Sequence, residues 1–374
     1  MQTSKAEKLL PLLIKNALQK NNDGQESNIA FTDFQLDHTQ WNELLTLAAK
    51  QGVFAIAYDG LPDTLLPELP KDITIKWQLG VENIEKRYDR QIGVLKELIS
   101  IFNKNGIDLL LLKGLGLCSM YPEPNHRECG DLDIYLMGDY DKGNRVIEQM
   151  GIFIEKEGHK HSKFIFRGVT VENHKTFLNV SLNKQDRHIN ATLNNILARD
   201  GFDTIIIGGV SVNIPNPHFN AIFLARHSIV HFLSTGLVFR HFTDIALFYE
   251  THYKRINFNS LAQLLSREKL INTYLCFLAL TDKLFGFDKG YKILIPRVKN
   301  EYLVDSNVVS RIYADTLKNA FKRDNTKILL AMPVYKRKIR GAIRLFVSKW
   351  KFDLIDKGLF YKDFFKRIWL SVKR

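Results

Sequence analysis

Cysteine is scarce in this chain: Cys118, Cys129 and Cys276 are the only three among 374 residues. None forms a C-x-x-C pair, and three are too few for a disulfide framework, so a stapled mini-fold is excluded and buried thiols are expected. Long hydrophobic runs are also missing. Ile107 to Leu112 and Ala221 to Leu224 fall far short of the roughly 20 residues that a membrane-spanning helix needs, so no transmembrane segment is expected. The LLPLLI run near the N-terminus is short and is followed by Lys15, unlike a signal peptide with its apolar core and cleavage site, and a cytoplasmic location is expected. There is no internal repeat and no low-complexity tract. With 45% apolar residues the chain can instead bury a sizeable core, divided over two or three domains.

What the chain does have is positive charge, unevenly spread. The formal net charge is +13, and residues 336–374 alone hold thirteen Lys or Arg against three Asp. Trp350, Phe352, Phe360, Tyr361, Phe364, Phe365 and Trp369 lie in the same stretch. A segment both basic and aromatic suits an anionic membrane surface or a polyanion such as RNA. The alternative is a helical pair that packs its aromatics inward and leaves its lysines in water.

Hydrophobic periodicity predicts amphipathic helices over 5–20 and 41–59, and a longer one from about Trp77 to Asn105 that delivers the chain to a buried strand at 107–112. Leu115 to Tyr121 reads as a short helix, Asp131 to Leu136 as a second strand, and Asp139 to Met150 as a helix capped by Asp139. Further strands are expected at 152–156, 163–167 and 169–174, a helix over 185–198, and a hairpin in which 203–207 and 210–213 bracket Gly208-Gly209. From Asn216 onward the pattern is helical. The expected organisation is an N-terminal helical region at 1–90, a core at 91–215, a C-terminal helical domain at 216–335 and the basic tail at 336–374.

The chemistry concentrates in residues 113–136. Alternate residues of a strand share a face, so Asp131-Leu132-Asp133 sets two carboxylates side by side. Adjacent carboxylates repel unless a cation sits between them, and Mg²⁺ is the usual answer. On the strand 169–174, Thr170, Glu172 and His174 share a face, which makes Glu172 a third candidate ligand. Lys113-Gly114 opens a turn whose backbone donors suit an anion, and Arg127 offers a planar fork for a phosphate.

Lys113-Gly114, Tyr121-Pro122 and Arg127-x-x-Gly130-Asp131-x-Asp133, followed by apolar residues, resemble the uncharacterised nucleotidyltransferase family of bacteria, a branch of the DNA polymerase β-like superfamily. The resemblance extends to Glu172-Asn173-His174, to the stretch around His231, Gly236, Arg240 and Asp244, and upstream to Trp41, Leu44, Ala48-Ala49 and Gly52-Val53, covering roughly residues 5–250. It implies an α+β fold in which a small mixed sheet is flanked by helices, with an N-terminal helical cap and a C-terminal helical domain. It also implies transfer of a nucleoside monophosphate from an NTP, with Mg²⁺ or Mn²⁺ held by Asp131, Asp133 and Glu172. Lys113, Gly114 and Arg127 would contact phosphates, and His231 and Arg240 could close over the nucleotide. One departure is that Lys113-Gly114 stands where the superfamily usually has Gly-Ser. The acceptor expected is a hydroxyl, such as that of a sugar phosphate or glycan precursor. Rival readings are a toxin-like transferase acting on tRNA or protein, and a nucleotide-binding protein without turnover.

Bland alternatives stand beside these. His159 and His161, with His174 and His188, could suggest a transition-metal hydrolase, but the H-x-H falls in a Lys-rich turn and is expected to be solvated. His227 and His231 lie four apart on a helix, as do Arg240 and Asp244, which could simply pair.

Overall fold

The computed structural model describes residues 4–19, 31, 34–157, 160–181, 183–298, 304–322, 346–356 and 361. The chain forms two compact units. The first comprises residues 1–224 and 247–256, and the second residues 225–246 and 257–374. Among the described residues no helix is long and apolar enough to cross a membrane.

The first unit begins with three helices, α1 (Lys5–Gln19), α2 (His38–Gln51) and α3 (Phe54–Asp59). The single helix expected over 41–59 is two. Gly52 takes the left-handed conformation at φ 67°, which its missing side chain permits, and its N–H closes α2 on the carbonyls of Ala48 and Ala49. At its start, Asp37 and Gln40 form a reciprocal capping box. α4 (Lys71–Lys104) starts earlier than its apolar pattern indicated, because Pro70 supplies the N-cap and the first turns are mostly polar.

A seven-stranded mixed sheet follows, ordered β3-β4-β5-β2-β1-β7-β6. Its strands are β1 (Leu110–Leu111), β2 (Asp131–Tyr135), β3 (Glu155–Glu157), β4 (His161–Phe166), β5 (Val169–His174), β6 (Phe202–Ile207) and β7 (Val210–Pro215). β2 runs antiparallel to β1 and parallel to β5. The strand expected over 107–112 shrinks to two residues, although the Leu112 N–H still donates to the Asp133 carbonyl at 2.9 Å. The Gly208-Gly209 hairpin forms as the sequence indicates, joining β6 to β7. α5 (Tyr140–Gln149) lies between β2 and β3, and α6 (Lys184–Asp200) between β5 and β6. Asp139 stands at the N-cap of α5 but makes no side-chain capping bond.

Alternation along the strands divides the sheet into two faces. Leu132, Ile134, Val171, Phe164 and Phe166 join Val94, Leu95, Leu98 and Phe102 of α4 in one apolar core. Burial of each such side chain contributes roughly 1.5–3 kcal/mol. Asp131, Asp133, Glu172 and His174 fall by the same alternation on the other face.

The helices α7 (Pro217–Leu233) and α8 (Phe239–His252) are divided between the units, and their portions within 225–246 form the core of the second with α9 (Phe258–Arg267), α10 (Ile271–Phe285), α11 (Lys289–Leu294) and α12 (Ser306–Lys322). Phe277 packs edge-on to Phe232 and Phe242, and Phe239 stacks on Tyr313. In the tail only 346–356 and 361 are described, so the expected membrane or RNA contact falls largely outside the described residues. Within them, Trp350 packs against Phe232, the Arg311 guanidinium lies 4.2 Å from its ring, Phe352 is buried, and buried Lys351 pairs with Asp315.

Candidate functional site

β2 is the central support of the site, because its neighbours on both sides position charged groups against it. The parallel register pairs Asp131 with Thr170, Asp133 with Glu172 and Tyr135 with His174. The antiparallel register of β4 on β5 pairs Lys163 with Glu172 and His161 with His174. Paired residues project to the same face, so two carboxylates, two imidazoles and an ammonium converge there with Asp131 one step along β2.

Asp133 is the most deeply held of these, with 1% of its side chain exposed. Lys113 Nζ donates to its Oδ2 at 2.6 Å, and His174 Nε2 donates to its Oδ1 at 2.9 Å. Burial alone would raise the Asp133 pKa, but Lys113 and His174 outweigh it and hold the carboxyl well below the usual carboxylate range. Burial would likewise depress Lys113, yet Asp133, Asp131 and Glu172 push its pKa up. His174 is fully buried, and that burial prevails over Asp133 to lower its pKa, which favours a neutral ring whose Nε2–H serves the carboxylate. Glu172 is held more loosely, with His161 and His174 at 3.8 Å and Lys163 at 3.7 Å. Lys160 belongs to the same field: burial, then Lys113, lowers its pKa, while Asp133 and Glu172 act against them.

Gly114 follows Lys113 at φ +66°, and an added Cβ would stand 3.1 Å from Cys129 Sγ and 3.9 Å from Asp133 Oδ2. The glycine therefore lets the chain turn tightly against β2 and aim Lys113 at Asp133. The helix expected after it is a 3-10 helix, Gly114–Met120. Arg127 is buried, with Nη1 donating to the Glu128 carbonyl at 3.3 Å. The loop around it is tied down by Gln91, which donates to the Cys129 carbonyl, and by Glu128, which accepts the Phe54 N–H. All three cysteines are buried thiols.

One expectation is corrected. His161 is not in a solvated turn; it opens β4, half-buried, beside Glu172 and His174. His159 lies outside the described residues. Strand pairing carried this information, and a spacing of thirteen residues between His161 and His174 gives no local sign of it. Lys160 and Lys163 escaped for the same reason. His231 and Arg240 belong to the second unit, on α7 and α8, where His231 lies beside His227 and His241.

The donor set can be weighed against a divalent ion. Among the described residues, His161, Glu172 and His174 bring one ligand atom each within 4.8 Å of one another, and Asp131, Asp133 and Glu172 do not form such a group. Carboxylate oxygens on one face still suit a hard cation, with Lys113 supplying the positive charge at Asp133. The imidazoles widen the range toward softer metals.

The fold and this face define an α+β protein with a carboxylate and ammonium cluster on the central strands of a mixed sheet. The chain belongs to the uncharacterised nucleotidyltransferase family, whose model matches residues 37–286. Among solved structures it is similar to an antigenic nucleotidyltransferase-like protein from Paracoccidioides brasiliensis, at 15% identity and a TM-score of 0.28, over 42% of this chain and 72% of that one. A comparison with curated proteins finds no match.

Proposed function

We propose that this protein transfers a nucleoside monophosphate from an NTP to an acceptor hydroxyl, with release of pyrophosphate, and that the acid face of the sheet is its active site. The observation that carries the reading is the register of β2 on β5, which sets Asp133 beside Glu172 with Asp131 on the same face and Lys113 on Asp133. Asp131, Asp133 and Glu172 would hold Mg²⁺ or Mn²⁺ once their oxygens draw together and Lys113 yields its place on Asp133, and the ion would neutralise phosphate charge and polarise the reacting phosphorus. Around them, Lys113, Lys160 and Lys163 supply positive charge for a triphosphate, and Arg127 with the Gly114 turn completes the expected phosphate contacts. Neutral His174 keeps the Asp133 carboxylate oriented. Glu172, at the more open edge of the cluster, is the group to accept the acceptor's proton, directly or through water. A sugar phosphate or glycan precursor is the acceptor class we favour.

The test is a transfer assay with each of the four α-labelled NTPs, Mg²⁺ or Mn²⁺, and cell extract as the source of acceptor. Label should move with the unmutated protein and fail to move with Asp131→Asn or Glu172→Gln. Full transfer by both variants would sink the assignment.

A further inference from the structure

A second cluster lies in the helical unit, independent of the nucleotidyl-transfer reading. His227 and His231 sit one turn apart on α7, with ring centroids 4.4 Å apart, and His241 in the first turn of α8 brings its ring to 4.7 Å from His231. One ring nitrogen from each lies within 4.8 Å of the others, and all three side chains are partly exposed. Residues four apart on a helix share a face, which is how a helical His-x-x-x-His pair presents two ligands to one ion.

The backbone around the rings is fixed. The Gly236 N–H donates to the His231 carbonyl at 2.7 Å, with Gly236 at φ 91°, and this closes the end of α7. The His241 N–H donates to the Val238 carbonyl at 3.0 Å. The Nδ1 atoms of two of the rings have partners of the kind that orient metal ligands. His231 Nδ1 lies 2.9 Å from the Thr235 hydroxyl. His241 Nδ1 faces both the N–H of Val238, at 3.1 Å, and its carbonyl, at 3.3 Å. A ring whose Nδ1–H donates to an oxygen keeps its Nε2 lone pair for an ion. Val238 accommodates either tautomer of His241, and metal binding would select the one that donates to the carbonyl.

From this geometry we propose that His227, His231 and His241 form a transition-metal site for Zn²⁺ that clasps the turn between α7 and α8. Imidazole donors suit Zn²⁺ rather than the Mg²⁺ or Mn²⁺ proposed for the acid-face carboxylates, and the His161, Glu172 and His174 group is the competing Zn²⁺ site that the experiment has to separate. Zn–N bonds of about 2.0–2.1 Å in tetrahedral geometry bring ligand nitrogens to about 3.4 Å, so the rings must draw in slightly as the ion binds. Three protein ligands leave a fourth position open to water, in keeping with the partial exposure of the rings.

The experiment uses tag-free full-length protein stripped with chelator and titrated with Zn²⁺ alone, then with Co²⁺ as a visible-absorption reporter of coordination. At least one equivalent should bind, and His227→Gln or His241→Gln should weaken the binding of one equivalent about 100-fold or more. Thr235→Ala, which removes an orienting partner only, should weaken it about 10-fold. His161→Gln, in the other imidazole cluster, should leave it unchanged. Circular dichroism checks folding. In the unmutated protein, Zn²⁺ should protect His227, His231 and His241 from diethylpyrocarbonate, a readout that needs no variant. Binding lost with His161→Gln alone, or an absence of Zn²⁺ protection at the three histidines, would overturn the proposal.

Discussion

Lys113 Nζ and Asp133 Oδ2 lie 2.6 Å apart, and the pair is nearly closed to solvent on the Asp133 side. A buried pair is costly to break from one side, because the remaining charge stays desolvated. Asp133→Ala should therefore destabilise the protein by about 3–5 kcal/mol in a denaturant titration. Adding Lys113→Met to it should recover part of that loss. Additive losses in the double variant would mean that the two groups act independently.

Asp131 and Glu172 make cleaner probes of activity than Asp133. Asp131 is half-buried, and the ion pairs of Glu172 are long, at 3.7–3.8 Å. Pairs this long are weak, and the Asn and Gln replacements keep the shape of each side chain. Asp131→Asn and Glu172→Gln should leave the unfolding midpoint nearly unchanged and lower nucleotidyl transfer at least about 100-fold, the scale of losing one charge-stabilising group. A large loss of stability with either would show that its role is structural.

Much of the acid face was legible because it depends on local period. The alternation in Asp131-Leu132-Asp133 and in Thr170 to His174 fixes which side chains share a face, and the registers of the sheet preserve it. Gly208-Gly209 likewise specifies its hairpin through positive φ at both residues. The missing parts come from long-range pairing. His161 reaches Glu172 only because β4 folds back on β5, and Lys160 enters the field of Lys113 only through the same hairpin. The two-residue length of β1 was also hidden, since Ile107 to Leu112 is continuously apolar whether or not each residue pairs. His241 joins His227 and His231 through a turn between helices, and no single helical period links all three.

His126 gives the first unit a pH-dependent contribution. Its Nδ1 lies 2.8–2.9 Å from the Asp59 carboxylate and its Nε2 3.0 Å from Glu85. Burial opposes the charged ring, but Asp59 and Glu85 prevail and raise its pKa from 6.5 to about 9. A folded-state pKa above the unfolded one stabilises fully below pH 6.5, and the contribution fades as pH rises through about 9. Solvent reaching Glu85 reduces the effect to about 1–2 kcal/mol. The stability of the unmutated protein should therefore fall between pH 6.5 and 9.5 more than that of His126→Asn. Parallel curves over that range would remove His126 as the cause.

Two glycines should respond to alanine with opposite signs. Gly60, at φ −85°, has a backbone that any residue can adopt, so a substitution there is judged on space alone. An added Cβ would stand 1.9 Å from the Leu13 carbonyl oxygen and 2.6 Å from its carbon, and these are backbone atoms of α1 that cannot rotate away. The Gly60 carbonyl also accepts from buried Asn16 at 3.0 Å, which ties the same contact from the other direction. Gly60→Ala should cost about 1–3 kcal/mol or more, as overpacking does, by forcing α1 away from the end of α3. Gly93 lies within α4 with nothing within 4 Å of an added Cβ, so Gly93→Ala should stabilise by about 0.5–1 kcal/mol through helix propensity. Thermal melts of the two variants decide the matter. A neutral Gly60→Ala would mean that α1 and α3 do not approach this closely in solution, whereas a destabilising Gly93→Ala would show that this face of α4 is covered.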